Sequence, residues 1–225
     1  MAVVKGNVLG NLSGKLGNLS ARTVEGRTIL AARPSSFNVN YDPAVVEVRQ
    51  KFAVTANFAK NISAISTLSE IWKNSKENGI SVFNTIFKKN FQFSGVDKPT
   101  VDNIITPDGF DLPVSAATLS ANALDLEIDG LGNGTVITAE DVDLSIVSLV
   151  VYFNPIDPND KEYQTIKLSK DIAAFPFADD YAGSINFNVI QRNIAAKYQN
   201  NIIYLIAASK SADGKVVQYS KTFAQ

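Results

Sequence analysis

The sequence predicts an α+β chain: an N-terminal extended arm, hairpin and helices, followed by a C-terminal β-sandwich. Three observations carry this. Apolar residues from Val45 to Trp72 recur at three- and four-residue steps. Short strand-like runs punctuated by turn residues recur from residue 115 onward. Glycines crowd the first twenty residues, where Leu-Gly-Asn units overlap.

In chain order, the segment Gly6–Ser20 has glycine at 6, 10, 14 and 17. Each costs a helix about 1 kcal/mol relative to alanine, so the segment is read as an extended arm. It would become ordered where a partner's backbone comes close. A hairpin is expected over residues 22–33, where Arg22-Thr23-Val24 and Thr28-Ile29-Leu30-Ala31 flank Glu25-Gly26-Arg27. Asp42-Pro43 marks a helix start, with an acidic cap and proline at the first helical position. The periodic stretch beyond it is one helix of about eight turns, or two broken near Ser63–Ser69. Asn78-Gly79 stops it, and a second short helix fits Val82 to Phe91. The four phenylalanines between 83 and 93 are expected in the core.

Pro99, Pro107-Asp108-Gly109 and Pro113 give residues 96–114 the texture of a linker. Strands are expected near 115–119, 122–129, 145–153, 163–168, 184–190, 201–209 and 215–223. The clearest hairpin turn is Ala212-Asp213-Gly214-Lys215. Seven strands at this spacing point to an immunoglobulin-like sandwich. The expected organisation is thus arm and hairpin 1–41, helical segment 42–95, linker 96–114 and β-sandwich 115–225.

Composition narrows the chemistry. Cysteine and histidine are both absent from the 225 residues. This excludes disulfides, thiolate nucleophiles, Cys/His zinc sites, the Ser-His-Asp triad and a histidine base. The apolar runs Ser148–Phe153 and Ile202–Ala208 are too short to cross a bilayer, so no membrane partner is expected. No apolar signal region stands at the start, which suggests a cytoplasmic product. Charge is split along the chain. Residues 1–95 hold twelve Lys or Arg against five Asp or Glu, a net +7, and residues 96–225 hold nine against seventeen, a net −8. A basic end that meets nucleic acid or an acidic neighbour, head-to-tail stacking, and a plain solvated surface all fit this split.

Chemical motifs are sparse. Gly14-Lys15 is followed by Leu16, so the glycine-rich start is not a phosphate loop. Asp157, Asn159 and Asp160 lack the spacing of a calcium loop, and Glu140, Asp141, Asp143 and the pair Asp179-Asp180 read as solvated acidic loops. No catalytic, cofactor-binding or metal-ligating residue is assigned, and no cofactor is expected. The residues singled out are those of the assembly arm: Leu9, Leu12, Leu16 and Leu19, with something to bury, and Arg22, Arg27 and Arg33, able to meet phosphate or an anionic protein.

Two stretches carry a resemblance. One is Leu-Ser-Gly-Lys-Leu-Gly-Asn at 12–18, with Gly-Arg at 26–27, Ala-Arg-Pro at 32–34 and Val-Arg-Gln-Lys-Phe at 48–52. The other is Ser-Ala-Asp-Gly-Lys-Val-Val-Gln-Tyr-Ser at 211–220, following the strand Ile202–Ala208. Together they resemble an uncharacterised domain family of bacterial and phage genomes with a glycine-rich start and a sandwich end. The resemblance implies a virion or prophage-particle component and carries over no functional residue. The expected function is a non-enzymatic structural component of a phage virion or phage-like particle, such as a capsid-associated, connector-ring or tail protein. Its expected partners are copies of itself and other particle proteins, with non-specific contact to packaged DNA, and its expected location is the virion, assembled in the bacterial cytoplasm. The alternatives are an extracellular or surface module binding carbohydrate or protein, and an enzyme using carboxylates.

Overall fold

The computed structural model describes residues 12–24, 27–36, 39–76, 78–133 and 135–225. Together they make an α+β protein with four α-helices and eleven strands in three antiparallel sheets. The chain divides into two compact units, Met1–Val46 and Glu47–Gln225.

The first unit contains β1 (Gly14–Leu16), β2 (Leu19–Val24) and β3 (Arg27–Ala32), ordered β1-β2-β3. The expected hairpin is β2–β3, with Val24 opposite Arg27. The reading of an extended arm changes over residues 14–20, because Leu16 pairs with Leu19 around a turn at Gly17-Asn18. Gly14 and Gly17 take φ of +119° and +56°. A Cβ at either would meet nothing within 4 Å. These glycines therefore serve left-handed backbone, not close approach of a partner. Gly6, Leu9 and Gly10 lie outside the described residues.

Helix α1 (Pro43–Ser63) opens as the sequence predicts, with Asp42 Oδ1 accepting from the Ala44 amide at 3.0 Å. It breaks after Ser63 and continues as α2 (Ser66–Ser75). Ser81 caps α3 (Val82–Asn90) by accepting from the Asn84 amide. Next come β4 (Val114–Leu119), β5 (Ala123–Ile128), β6 (Asp143–Pro155), β7 (Tyr163–Ile172), β8 (Tyr181–Asn186), α4 (Val189–Ala195), β9 (Tyr198–Lys210), β10 (Val216–Tyr219) and β11 (Phe223–Ala224). All seven strands expected after residue 114 are present. The run assigned to 184–190 ends earlier, because Asn188 and Gln191 form a reciprocal capping box that starts α4.

Three layers make up the second unit. The middle sheet has the order β10-β9-β6-β7, with β11 also on β9, and the outer sheet is β4-β5-β8. Leu144, Ile146, Val150 and Tyr152 of β6 face Leu124, Leu126, Ile128 and Ile185 of the outer sheet in one core. Val147, Leu149 and Val151, with Ile202, Tyr204, Ile206 and Ala208 of β9, face Phe58, Ile62, Leu68, Ile71, Trp72 and Ile86 of the helices in a second. Successive residues of β6 and β9 thus enter opposite cores, which is why their apolar runs are continuous and do not alternate.

Residues 96–114, linker-like in sequence, carry Asn103, Ile105 and Thr106 into the interior. Trp72 Nε1 donates to the Ile105 carbonyl at 2.8 Å, and Asn103 Nδ2 donates to Asn90 Oδ1 at 3.0 Å. Thr222 Oγ1 accepts from the amides of Ile105 and Thr106. Residues 47–225 therefore form one body with two cores, and its boundary with the first unit lies inside α1.

One core expectation is corrected. Phe83 is exposed, and Phe87, Phe91 and Phe93 are only half-buried. The side of α3 that enters the core carries Thr85, Ile86 and Asn90. Phe83, Phe87 and Phe91, four residues apart along its flank, stack at 6.4 and 5.5 Å; Phe87 packs partly against the core, and Phe52 of α1 closes on it at 4.7 Å.

Candidate functional site

Strand register gives the small N-terminal sheet two unlike faces. Leu19, Ala21 and Thr23 of β2 lie opposite Ala32, Leu30 and Thr28, and Leu16 of β1 lies opposite Leu19. Because directly opposed residues share a face, Leu16, Leu19, Ala21, Leu30 and Ala32 stand together. The other face collects Lys15, Ser20, Arg22, Arg27, Ile29 and Ala31.

The apolar face is poorly covered. Leu16 is 60% exposed and Leu30 46% exposed, and Ala21 is the one buried apolar residue among those described in this unit. Further along, Val39, Tyr41, Val48 and Phe52 are also exposed. Half of the exposed large apolar side chains among the described residues fall between Leu16 and Phe52. The first buried residue of α1 is Val54, so its opening turns bury nothing.

Of the residues singled out from sequence, Leu9 lies outside the described residues. Leu12 is half-buried and its carbonyl accepts from Thr23 Oγ1 at 3.1 Å. Leu16 and Leu19 meet on the apolar face, Arg22 and Arg27 on the basic one. Arg33 follows β3 and is exposed, its amide donating to the Asn18 carbonyl at 2.7 Å. Sequence reasoning treated the leucines and arginines as one arm. Strand register separates them, and the alternation Leu19-Ser20-Ala21-Arg22 already held that signal.

The acidic loops are satisfied locally. Asp141 accepts from the Thr138 amide at 2.7 Å, from Thr138 Oγ1, from Gln218 Nε2 at 2.9 Å and from Ser209 Oγ. Burial pushes its pKa up, but these hydrogen bonds together hold it below the usual carboxylate value. Asp157 accepts from the Asn159 amide, Asp160 pairs with Lys197 at 2.8 Å, and Asp180 accepts from the Gly130 amide. Among the described residues no group of three or more acidic side chains is placed to hold a metal ion.

A cavity of about 450 Å³ was not foreseen from sequence. It runs between α1 and β7 and is lined by Asn57, Asn61 and residues 161–165. No helix among the described residues is long and apolar enough to cross a membrane. Compared with known proteins, the chain matches no family, no curated protein and no solved structure.

Proposed function

We propose that the chain is a non-enzymatic structural subunit of a phage virion or phage-like particle, joined to its neighbours through its N-terminal segment. One observation carries the assembly part: an amphipathic three-stranded sheet leaves Leu16 and Leu30 in solvent. Burying a leucine contributes about 1.5–3 kcal/mol, and a sheet this small has little core of its own. A neighbour supplies that burial. Charge supports a second copy as the neighbour. Residues 1–46 carry a net +3 and residues 47–225 a net −4, so unlike units of successive copies attract. Such a head-to-tail contact builds a ring or a filament. The phage assignment rests on the sequence resemblance, and location in a virion assembled in the bacterial cytoplasm follows from it. Contact of Arg22 and Arg27 with packaged DNA belongs to the same reading.

The finer fold reading also has support. Counted from β4, the strands order as first-second-fifth against seventh-sixth-third-fourth. That order is consistent with the A-B-E and G-F-C-C′ arrangement of immunoglobulin-like sandwiches, with β11 added on β9.

Light scattering of the purified chain against Leu16→Lys/Leu30→Lys tests the proposal. The wild-type chain is expected to give a multimer, and the variant a monomer with unchanged circular dichroism. A wild-type chain that stays monomeric at every concentration and never joins a particle overturns it.

A further inference from the structure

The groove between α1 and β7 has the features of a strand-docking site. Among the described residues β7 ends its sheet, with β6 on one side only. Gln191 Nε2 donates to the Lys167 carbonyl at 2.9 Å, which marks that carbonyl as pointing away from β6. Backbone direction alternates along a strand, so the N–H and C=O groups of Tyr163 and Thr165 also point outward. Both residues line the groove. Thr165 Oγ1 is buried there with no hydrogen-bond partner. A buried hydroxyl without a partner costs about 1–3 kcal/mol, so it marks a place where a partner is missing. Opposite it, Asn61 Nδ2 donates to the Asn57 carbonyl and to Asn57 Oδ1, which leaves Asn57 Nδ2 and Asn61 Oδ1 with spare capacity.

An open backbone edge on one wall and helix amides on the other select an extended peptide, which adds to the sheet as a further strand. We infer that this groove receives residues 2–11 of a second copy of the chain. The inference rests on the assembly reading above. Three features of Ala2-Val3-Val4-Lys5-Gly6-Asn7-Val8-Leu9-Gly10-Asn11 favour it as occupant. It has no proline to interrupt a ladder. As a strand it would place Val4, Gly6, Val8 and Gly10 on one face, where the glycines let Asn57 and Asn61 come close. It has no acidic residue to meet exposed Glu162 on the groove wall, where its Lys5 can pair, with Lys161 beside it.

The test uses the full chain with Val8→p-benzoylphenylalanine, which cross-links whatever it touches on irradiation. Heavy-isotope and ordinary chains are co-assembled, irradiated and mapped by mass spectrometry, with light scattering on the same sample. The expected products join position 8 to residues 57–61 or 161–165 in mixed-isotope pairs. Asn57→Trp, at an exposed position that fills the groove, is expected to lower their yield about tenfold without changing the melting temperature. Cross-links confined to one chain overturn the second copy as occupant. Cross-links elsewhere, or an unchanged yield in Asn57→Trp, overturn the groove. If multimers persist without groove cross-links, this inference fails and the assembly reading stands; monomers throughout sink both.

Discussion

Residues 114–225 contain the middle and outer sheets of the second unit, and their behaviour in isolation tests the three-layer account. Removing everything before Val114 uncovers Val147, Leu149, Val151, Ile202 and Ile206 on the helix-facing side of the middle sheet. All five are at most 6% exposed in the intact chain. At about 1.5–3 kcal/mol for each buried aliphatic side chain, the loss is about 8–15 kcal/mol. That equals the entire net stability of an ordinary domain, about 5–15 kcal/mol. Tyr204 is also exposed on losing its cover, and its hydroxyl loses the Thr100 carbonyl. The isolated segment is therefore expected to show no cooperative thermal transition by circular dichroism and a collapsed amide spectrum. Residues 47–225 should melt cooperatively. A segment 114–225 that melts within about 10 °C of the full chain would refute the shared core and make the two sheets an autonomous domain.

Three further outcomes are expected. Ser148 Oγ is buried in the middle of β6 without a partner. Ser148→Ala should therefore stabilise the chain by about 1–3 kcal/mol, seen as a higher denaturation midpoint; a lower midpoint would mean that the hydroxyl is satisfied. Asp141 has a depressed pKa in the folded chain. Its contribution is present above the unfolded carboxylate value and lost as pH falls through the lower folded value, so Asp141→Asn should flatten the acid limb of the stability–pH curve; an unchanged limb counts against the network. Deleting Met1–Ser20 should shift the melting temperature of the main body by no more than about 3 °C while abolishing multimers, because neither core includes a residue before Phe58. A fall of tens of degrees would place the segment inside the chain's own core.

Local signals identified most elements. The Asp42-Pro43 start and the Asp213-Gly214 turn act through the chain's own neighbouring atoms, so they are legible without the fold, whereas α2 ends at Ser75, ahead of the expected stop at Asn78-Gly79. Gly79 and Gly214 take φ of +80° and +75°, as those signals require. The seven runs expected beyond residue 114 were legible for the same reason, although the last of them is two strands, β10 and β11. Burial was not. Four phenylalanines in eleven residues suggested a core, yet their four-residue spacing puts three on the flank of the buried stripe of α3, where only Phe87 reaches the core, and only the docked helix decides which side is inside. The linker-like texture of residues 96–114 likewise gave no sign of the contacts from Trp72 and Asn90, which come from residues far away in sequence.

The sequence by itself determined the chemistry that is excluded, the starts of α1 and α3, the Asp213-Gly214 turn and the sites of the main strands, because each depends on side-chain type or on dihedral preferences within a few residues; it did not show β1 or α4. Only the tertiary structure decided that β6 and β9 serve two cores and that, among the described residues, β7 keeps an open edge beside α1. The uninterrupted apolar runs of β6 and β9 were a trace of the first fact. Nothing local encodes the second, since an edge is defined by which strand fails to arrive.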